Sequence, residues 1–282
     1  MPLARAKTYA GFVKLEHTVF SLPLVYAGAV IGGAGRWPSA RLAALILLAA
    51  IGGRVAGMAL NRLIDAEIDR RNPRTKGREL PRGAMQVWEG WLVAAVAVAL
   101  YVWSAASIAP VCLRWSPLPL VLFTAYPYLK RFTSLAHLGL GLAWSMGPLG
   151  GWLAATQSTA GFMQIAPLWI FSLLWVTGFD IIYATMDEAF DRKAGLHSLP
   201  AQLGKKRSLR VAAVLHAAAF LALAILWQDQ LYSPIAFRWF VGIGALFVWQ
   251  HAIAERKPAF AFFQLNGALG FLVLAMVLAG MR

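Results

Sequence analysis

NRLIDAEIDRRNPRTKGRELPRG, residues 61–83, directly follows an apolar run from Leu42 to Leu60 that is long enough to cross a bilayer. Within it Asn61, Asp65 and Asp69 recur every four residues, a spacing that predicts one face of a continuing helix. An amide and two carboxylates at the mouth of a span suit a hard divalent cation, which takes oxygen ligands. Six bases follow at once: Arg70, Arg71, Arg74, Lys76, Arg78 and Arg82. Acids for a metal beside bases for an anion point to a metal-bridged phosphate ester. The competing reading is a solvated, salt-bridged loop that only sets topology.

The surrounding chain is that of an integral membrane protein. Of 282 residues 60% are hydrophobic and 13% are charged, against about a quarter charged in soluble domains. The net charge of +14 does not indicate nucleic acid, because the bases sit in short loops between apolar runs. Nine such runs predict an all-α, multi-pass protein with spans near 17–35, 42–61, 89–109, 116–128, 135–155, 165–185, 209–227, 236–253 and 259–281. The fourth is short and carries Pro117, Pro119 and Pro127, which predicts tilting or a break. No linker interrupts the chain, so residues 1–282 read as a single domain, and the first run reads as a retained span. With nine spans and the N-terminus inside, 20 of the 26 bases fall on one side, including Arg5, Lys7 and Lys14. That asymmetry predicts a plasma-membrane protein whose N-terminus and acidic, basic loops are cytoplasmic. A single cysteine, Cys112, excludes an internal disulfide and a cysteine-cluster metal site. The five histidines form no H-x-x-x-H pair, and His137 and His216 read as packing residues.

A second acidic cluster ends the sixth run. Asp180, Asp187 and Asp191 lie at i, i+7 and i+11, again one face of a helix, with Tyr183 close by. Asp180 is set among apolar residues, where a charge is costly unless paired or functional. Both clusters fall on the same side of the membrane, and each is trailed by bases. Two facing clusters form a site where divalent ions, Mg2+ foremost, bridge a diphosphate. The recurrence of acids and bases after the second and sixth runs is a weak internal echo. Arg54, two turns below Asn61 on the same face, needs an anionic partner, either one of the aspartates or a carboxylate on a substrate. Lys130 and Arg131 add a third basic patch, which alone reads as a topology anchor.

These residues resemble the UbiA superfamily of intramembrane prenyltransferases. The resemblance rests on Asn61, Asp65 and Asp69 with RNPRTKGRELPRG behind them, on YPYLKRFTSLAHLGLGLAWSMGPLGGWLA, and on Asp180, Tyr183, Asp187 and Asp191. The opening KLEHTVFSLPLVYAG is similar to the branch that prenylates 4-hydroxybenzoate or a related aromatic acid. Many members carry an acid directly after the first asparagine, whereas this chain has Arg62 there, as several aromatic-acid prenylators do.

The resemblance implies a nine-helix bundle around a central cavity, dependence on Mg2+, and transfer from a polyprenyl diphosphate donor to an aromatic acid acceptor in quinone biosynthesis. It further implies that Asn61, Asp65 and Asp69 hold one Mg2+ and Asp187 and Asp191 another. Arg74, Arg78 and Lys130 would bind the diphosphate. Asp180 and Tyr183 would orient the acceptor phenol and Arg54 its carboxylate, while Tyr126, Trp144 and Phe179 are candidates for the wall of the tail channel. Gly32-Gly33 and Gly147–Gly151 read as helix contacts rather than phosphate cradles. The alternatives are a family member with a naphthoate, porphyrin or prenylated glycerol phosphate acceptor, a cation-coupled secondary transporter, and a membrane scaffold without chemistry.

Overall fold

Helices form where the sequence runs apolar, and most begin where a proline or serine stands. The computed structural model describes the backbone of residues 2–281 and the side chains of residues 5–14 and 21–281. Part of the opening KLEHTVFSLPLVYAG motif, the side chains of residues 15–20, and the C-terminal Arg282 therefore lie outside the described residues. Those described form 14 α-helices and one short 3-10 turn, without strands.

The first half comprises α1 (Pro2–Val13), α2 (Leu15–Gly32), α3 (Ala40–Ile64), α4 (Ala66–Arg71), α5 (Val87–Ile108), α6 (Pro110–Trp115) and α7 (Pro117–Leu129). The second comprises α8 (Ala136–Thr156), the 3-10 turn Phe162–Gln164, α9 (Ala166–Ala184), α10 (Glu188–Ala194), α11 (Leu199–Leu203), α12 (Lys205–Gln230), α13 (Pro234–Ala254) and α14 (Pro258–Gly280). Proline occupies the first turn of α6, α7, α9, α11, α13 and α14, where its missing N–H costs nothing. Ser39, Ser198 and Ser233 cap α3, α11 and α13 through their hydroxyls.

Each of the nine apolar runs falls on one helix, namely α2, α3, α5, α7, α8, α9, α12, α13 and α14. Five of these, α3, α5, α9, α12 and α14, are long and apolar enough to cross a membrane by length and composition. The fourth run is α7, whose 13 residues span only about 20 Å at about 1.5 Å per residue. Trp88, Val96, Val214, Leu221 and Val248 stand exposed, as a lipid-facing exterior requires.

Two expectations of continuous helix are corrected. The helix carrying the first acids ends at Ile64, and Asp65 takes φ −94°, ψ 2° before α4 starts. The helix carrying the second ends at Ala184, and Asp187 takes φ −107°, ψ 3° before α10 starts. The Thr185 hydroxyl donates to the Ile182 carbonyl, drawing an acceptor out of the helical ladder. The echo between the halves is thus a shared break, an aspartate in the bridge region joining a long helix to a short one.

The main core gathers α2, α8, α9, α12, α13 and α14 around Trp152, Phe171, Trp175 and Leu223. A smaller cluster of Phe12, Val13, Ala59, Leu80 and Met85 packs α1 and α3 against the basic loop. Close approach of α2 and α8 depends on glycine, as a Cβ on Gly151 would meet the Val25 carbonyl oxygen at 1.9 Å.

Candidate active site

α3, α7 and α8 enclose two adjoining chambers. One, of about 310 Å³, is polar and gathers both acidic motifs, the basic loop after α4 and the ends of α8, α9 and α14. The other, of about 420 Å³, is apolar and lined by residues such as Ile46, Tyr101, Ile108, Phe123 and Met146. Arg54, Tyr126, Leu140 and Trp144 line both and so mark their junction. Phe179 lines the polar chamber and stands edge-on to Trp144 at 5.9 Å.

The helix breaks turn the acids toward the bases. Asp65 Oδ2 accepts from Lys130 Nζ at 2.6 Å and from Asn61 Nδ2 at 3.1 Å. Asp69 Oδ2 accepts from Arg78 Nη1 at 2.6 Å. Asp187 Oδ1 accepts from Arg74 Nε at 2.8 Å and Asn72 Nδ2 at 2.9 Å, and its other oxygen takes Arg74 Nη2. Arg74 also donates to the Tyr183 hydroxyl and lies 4.6 Å from the centroid of that ring. Asp191 Oδ2 accepts from the Ser198 hydroxyl at 2.7 Å. His197 N–H donates to the Lys130 carbonyl at 2.7 Å, which joins the loop after α7 to the loop before α11.

Burial pushes the Asp65 carboxyl above its ordinary range despite the pull of Lys130. Burial likewise raises Asp191, with the Ser198 hydrogen bond opposing it. For Arg74 burial works against the charge, but Asp187 and Tyr183 outweigh it and hold the guanidinium above its usual value.

Among the described residues no group of three or more His, Cys, Asp or Glu side chains is drawn tightly enough to hold a metal ion as it stands. The donors nonetheless suit a hard cation. They are all oxygens, and Asp65 Oδ1 is buried without a hydrogen-bond partner among the described residues. A cation near Oδ1 would remove that deficit.

Arg54 does not pair with an aspartate among the described residues. Its guanidinium lies 5.0 Å from the Trp144 ring centroid, and its buried Nε has no hydrogen-bond partner there. Lys130 reaches into the polar chamber and pairs with Asp65, while Arg131 donates to the Ile64 carbonyl at 2.7 Å. Sequence reasoning missed Asn72, Ser198 and His137. His137, read as a packing residue, is buried with Nδ1 2.7 Å from Asp180 Oδ2. Its one signal was its position, soon after Lys130 and Arg131 at the start of a span. His216 does pack, stacked on Phe247 with ring centroids 4.8 Å apart.

A family model described as the UbiA prenyltransferase family matches residues 21–274. The chain belongs to that family. This UbiA member is therefore a prenyltransferase of the membrane, and the transporter and scaffold readings fall away. A 4-hydroxybenzoate octaprenyltransferase of Burkholderia ambifaria is 31% identical over 291 residues, covering 98% of this chain and 96% of that one. The apo structure of a UbiA homologue from Aeropyrum pernix shares 35% identity and superposes with a TM-score of 0.86, over 95% of this chain and 98% of that one. A UbiA homologue from Archaeoglobus fulgidus bound to GPP and Mg2+ shares the fold, with a TM-score of 0.69 at 21% identity over 96% and 99% of the two chains.

Proposed function

We propose that this UbiA member transfers a polyprenyl group from an allylic diphosphate to a phenolic aromatic acid of the 4-hydroxybenzoate type, within one domain of residues 1–282 and in quinone biosynthesis. The observation that carries the reading is the junction. A chamber of paired acids and bases opens onto an apolar one across Arg54, Tyr126 and Trp144. Such a site takes a diphosphate at one end and a hydrocarbon chain at the other. The Burkholderia relative acts on 4-hydroxybenzoate by its name, and the Archaeoglobus homologue binds GPP with Mg2+; both support the reading.

In this reading Asn61, Asp65 and Asp69 hold one Mg2+ and Asp187 and Asp191 a second. When bound, the metal offsets the charge that develops on the leaving diphosphate. Arg74, Arg78 and Lys130 leave their carboxylates for the phosphate oxygens. Tyr183, expected from the sequence to orient the acceptor phenol, accepts a hydrogen bond from Arg74 and is assigned to the donor side instead. The bond between the allylic carbon and the diphosphate oxygen breaks with its electron pair going to the diphosphate. The ring carbon ortho to the acceptor hydroxyl forms the new carbon–carbon bond, and its hydrogen leaves as a proton to restore aromaticity. Apolar walls keep water from the allylic cation. Arg54 binds the acceptor carboxylate, and Asp180 accepts a hydrogen bond from its hydroxyl. The count of bases supports a cytoplasmic N-terminus and cytoplasmic site loops.

The test is a panel of acceptors, each offered with geranyl diphosphate and Mg2+ to the protein in lipid. Mass spectrometry should find prenylated 4-hydroxybenzoate in excess over products from a dihydroxynaphthoate or a prenylated glycerol phosphate. The reverse preference would keep the family chemistry and overturn the acceptor.

A further inference from the structure

His137 is the second residue of α8 and is buried at the edge of the polar chamber. Its two ring nitrogens meet different partners. Nδ1 lies 2.7 Å from Asp180 Oδ2, and Nε2 lies 3.2 Å from the backbone nitrogen of Leu199. A backbone N–H can only donate, so Nε2 is the acceptor and Nδ1 carries the hydrogen given to Asp180.

That arrangement separates Asp180 from three of the other acids. Asp65, Asp69 and Asp187 each face a lysine or arginine, whose charge cancels theirs. Asp180 instead accepts the Nδ1–H of His137 and has no lysine or arginine paired with it among the described residues. Its side chain is 21% exposed while that of His137 is 6% exposed, so the carboxylate rather than the ring reaches open space. Oδ1 takes no hydrogen bond among the described residues. Trp144, two turns beyond His137 on the same face of α8, carries Arg54 over its ring. A cation over Trp144 and a carboxylate beside His137 thus stand two turns apart along α8 in the same chamber, a match for a flat ring bearing a carboxylate at one end and a hydroxyl at the other.

We propose that His137 is a positioning residue for the acceptor: it fixes Asp180 so that Oδ1 receives the hydrogen bond of the acceptor hydroxyl. This rests on the phenolic acid reading above. Because Leu199 follows Ser198, which holds Asp191, the same imidazole ties the acceptor end to the second acidic motif.

The experiment is a double-mutant cycle on prenyl transfer from geranyl diphosphate to 4-hydroxybenzoate with Mg2+. His137→Phe keeps the ring and loses both polar atoms. It should lower kcat/KM for the acceptor roughly 10- to 100-fold, as the loss of other outer hydrogen-bond partners does, with donor KM unchanged. His137→Asn keeps a donor where Nδ1 lies and should recover most of that loss. In an Asp180→Asn background His137→Phe should cost nothing further, since it acts through Asp180. An additive cycle, or a rise in donor KM, would overturn the proposal. Should His137→Phe fail to fold, His137→Gln replaces it, as its amide overlays Nε2 and leaves Asp180 without its donor; activity as good as that of His137→Asn would then overturn it. A wild type that prenylates no hydroxybenzoate removes both the functional reading and this inference. An active wild type with an additive cycle removes this inference alone.

Discussion

Lys130 Nζ lies 2.6 Å from Asp65 Oδ2, so a base suited to a diphosphate holds an acid suited to a metal. Arg78 with Asp69 and Arg74 with Asp187 repeat the relationship. These three acids are thus neutralised before any ligand arrives, and binding exchanges partners: metal for base on the acids, phosphate for acid on the bases. Leaving buried charges unpaired would be far more costly.

Asp65→Asn tests the exchange. It keeps the shape of a buried side chain, 3% exposed as a residue, and removes the charge that a cation needs. Turnover should fall by roughly 100-fold or more, on the scale of losing one preorganised electrostatic contact, while gel filtration in detergent shows a folded protein. Near-normal turnover would remove Asp65 from the metal set.

Arg54→Ala should weaken acceptor binding far more than donor binding. A charged hydrogen bond is worth about 1.5–3 kcal/mol, which corresponds to roughly 10- to 150-fold in acceptor KM. Steady-state kinetics varying each substrate in turn decides it. A larger effect on the donor would assign Arg54 to the phosphate.

The pH dependence follows from the raised carboxyls of Asp65 and Asp191. A carboxyl raised in the folded state holds more protons there than when unfolded. The metal-free site therefore loses stability as the pH rises through that window and regains it on acidification. Metal needs the carboxylates ionised, so its binding releases protons. The rise in Tm caused by Mg2+ should be large near about pH 8 and shrink toward about pH 5. A rise independent of pH would mean that these acids do not bind the ion.

Gly150 and Gly151 make a matched pair on α8. A Cβ on Gly151 would collide with the Val25 carbonyl of α2, whereas one on Gly150 meets nothing within 4 Å. Gly151→Ala should destabilise by about 1–3 kcal/mol or more, read as a lower Tm, and Gly150→Ala should leave Tm nearly unchanged. Equal effects would contradict the close approach of α2 and α8.

The helices and the acids were legible because both are local. Apolar runs mark the first, and four-residue spacing of Asn61, Asp65 and Asp69 marks the second. What was not legible depends on partners far along the chain. Asn72 and Asp187 are 115 residues apart, and His137 and Asp180 are 43 apart. The breaks at Asp65 and before Asp187 also escaped notice, since nothing in NRLIDAEID or YATMDEAFD carries the glycine or proline that usually interrupts a helix. A lone histidine at a span end reads as packing until its neighbours are known. Arg54 stands out in the sequence as a base inside an apolar run, but only the structure distinguishes the aromatic ring beneath it from an aspartate.

The measurement that tests the account most directly follows two products in one sample. The wild-type protein in lipid receives geranyl diphosphate, 4-hydroxybenzoate and Mg2+, and both released diphosphate and prenylated acid are counted. The account predicts one diphosphate for each prenylated molecule, and EDTA should stop both. Transfer that persists in EDTA, or diphosphate release with no prenylated acid, would contradict it.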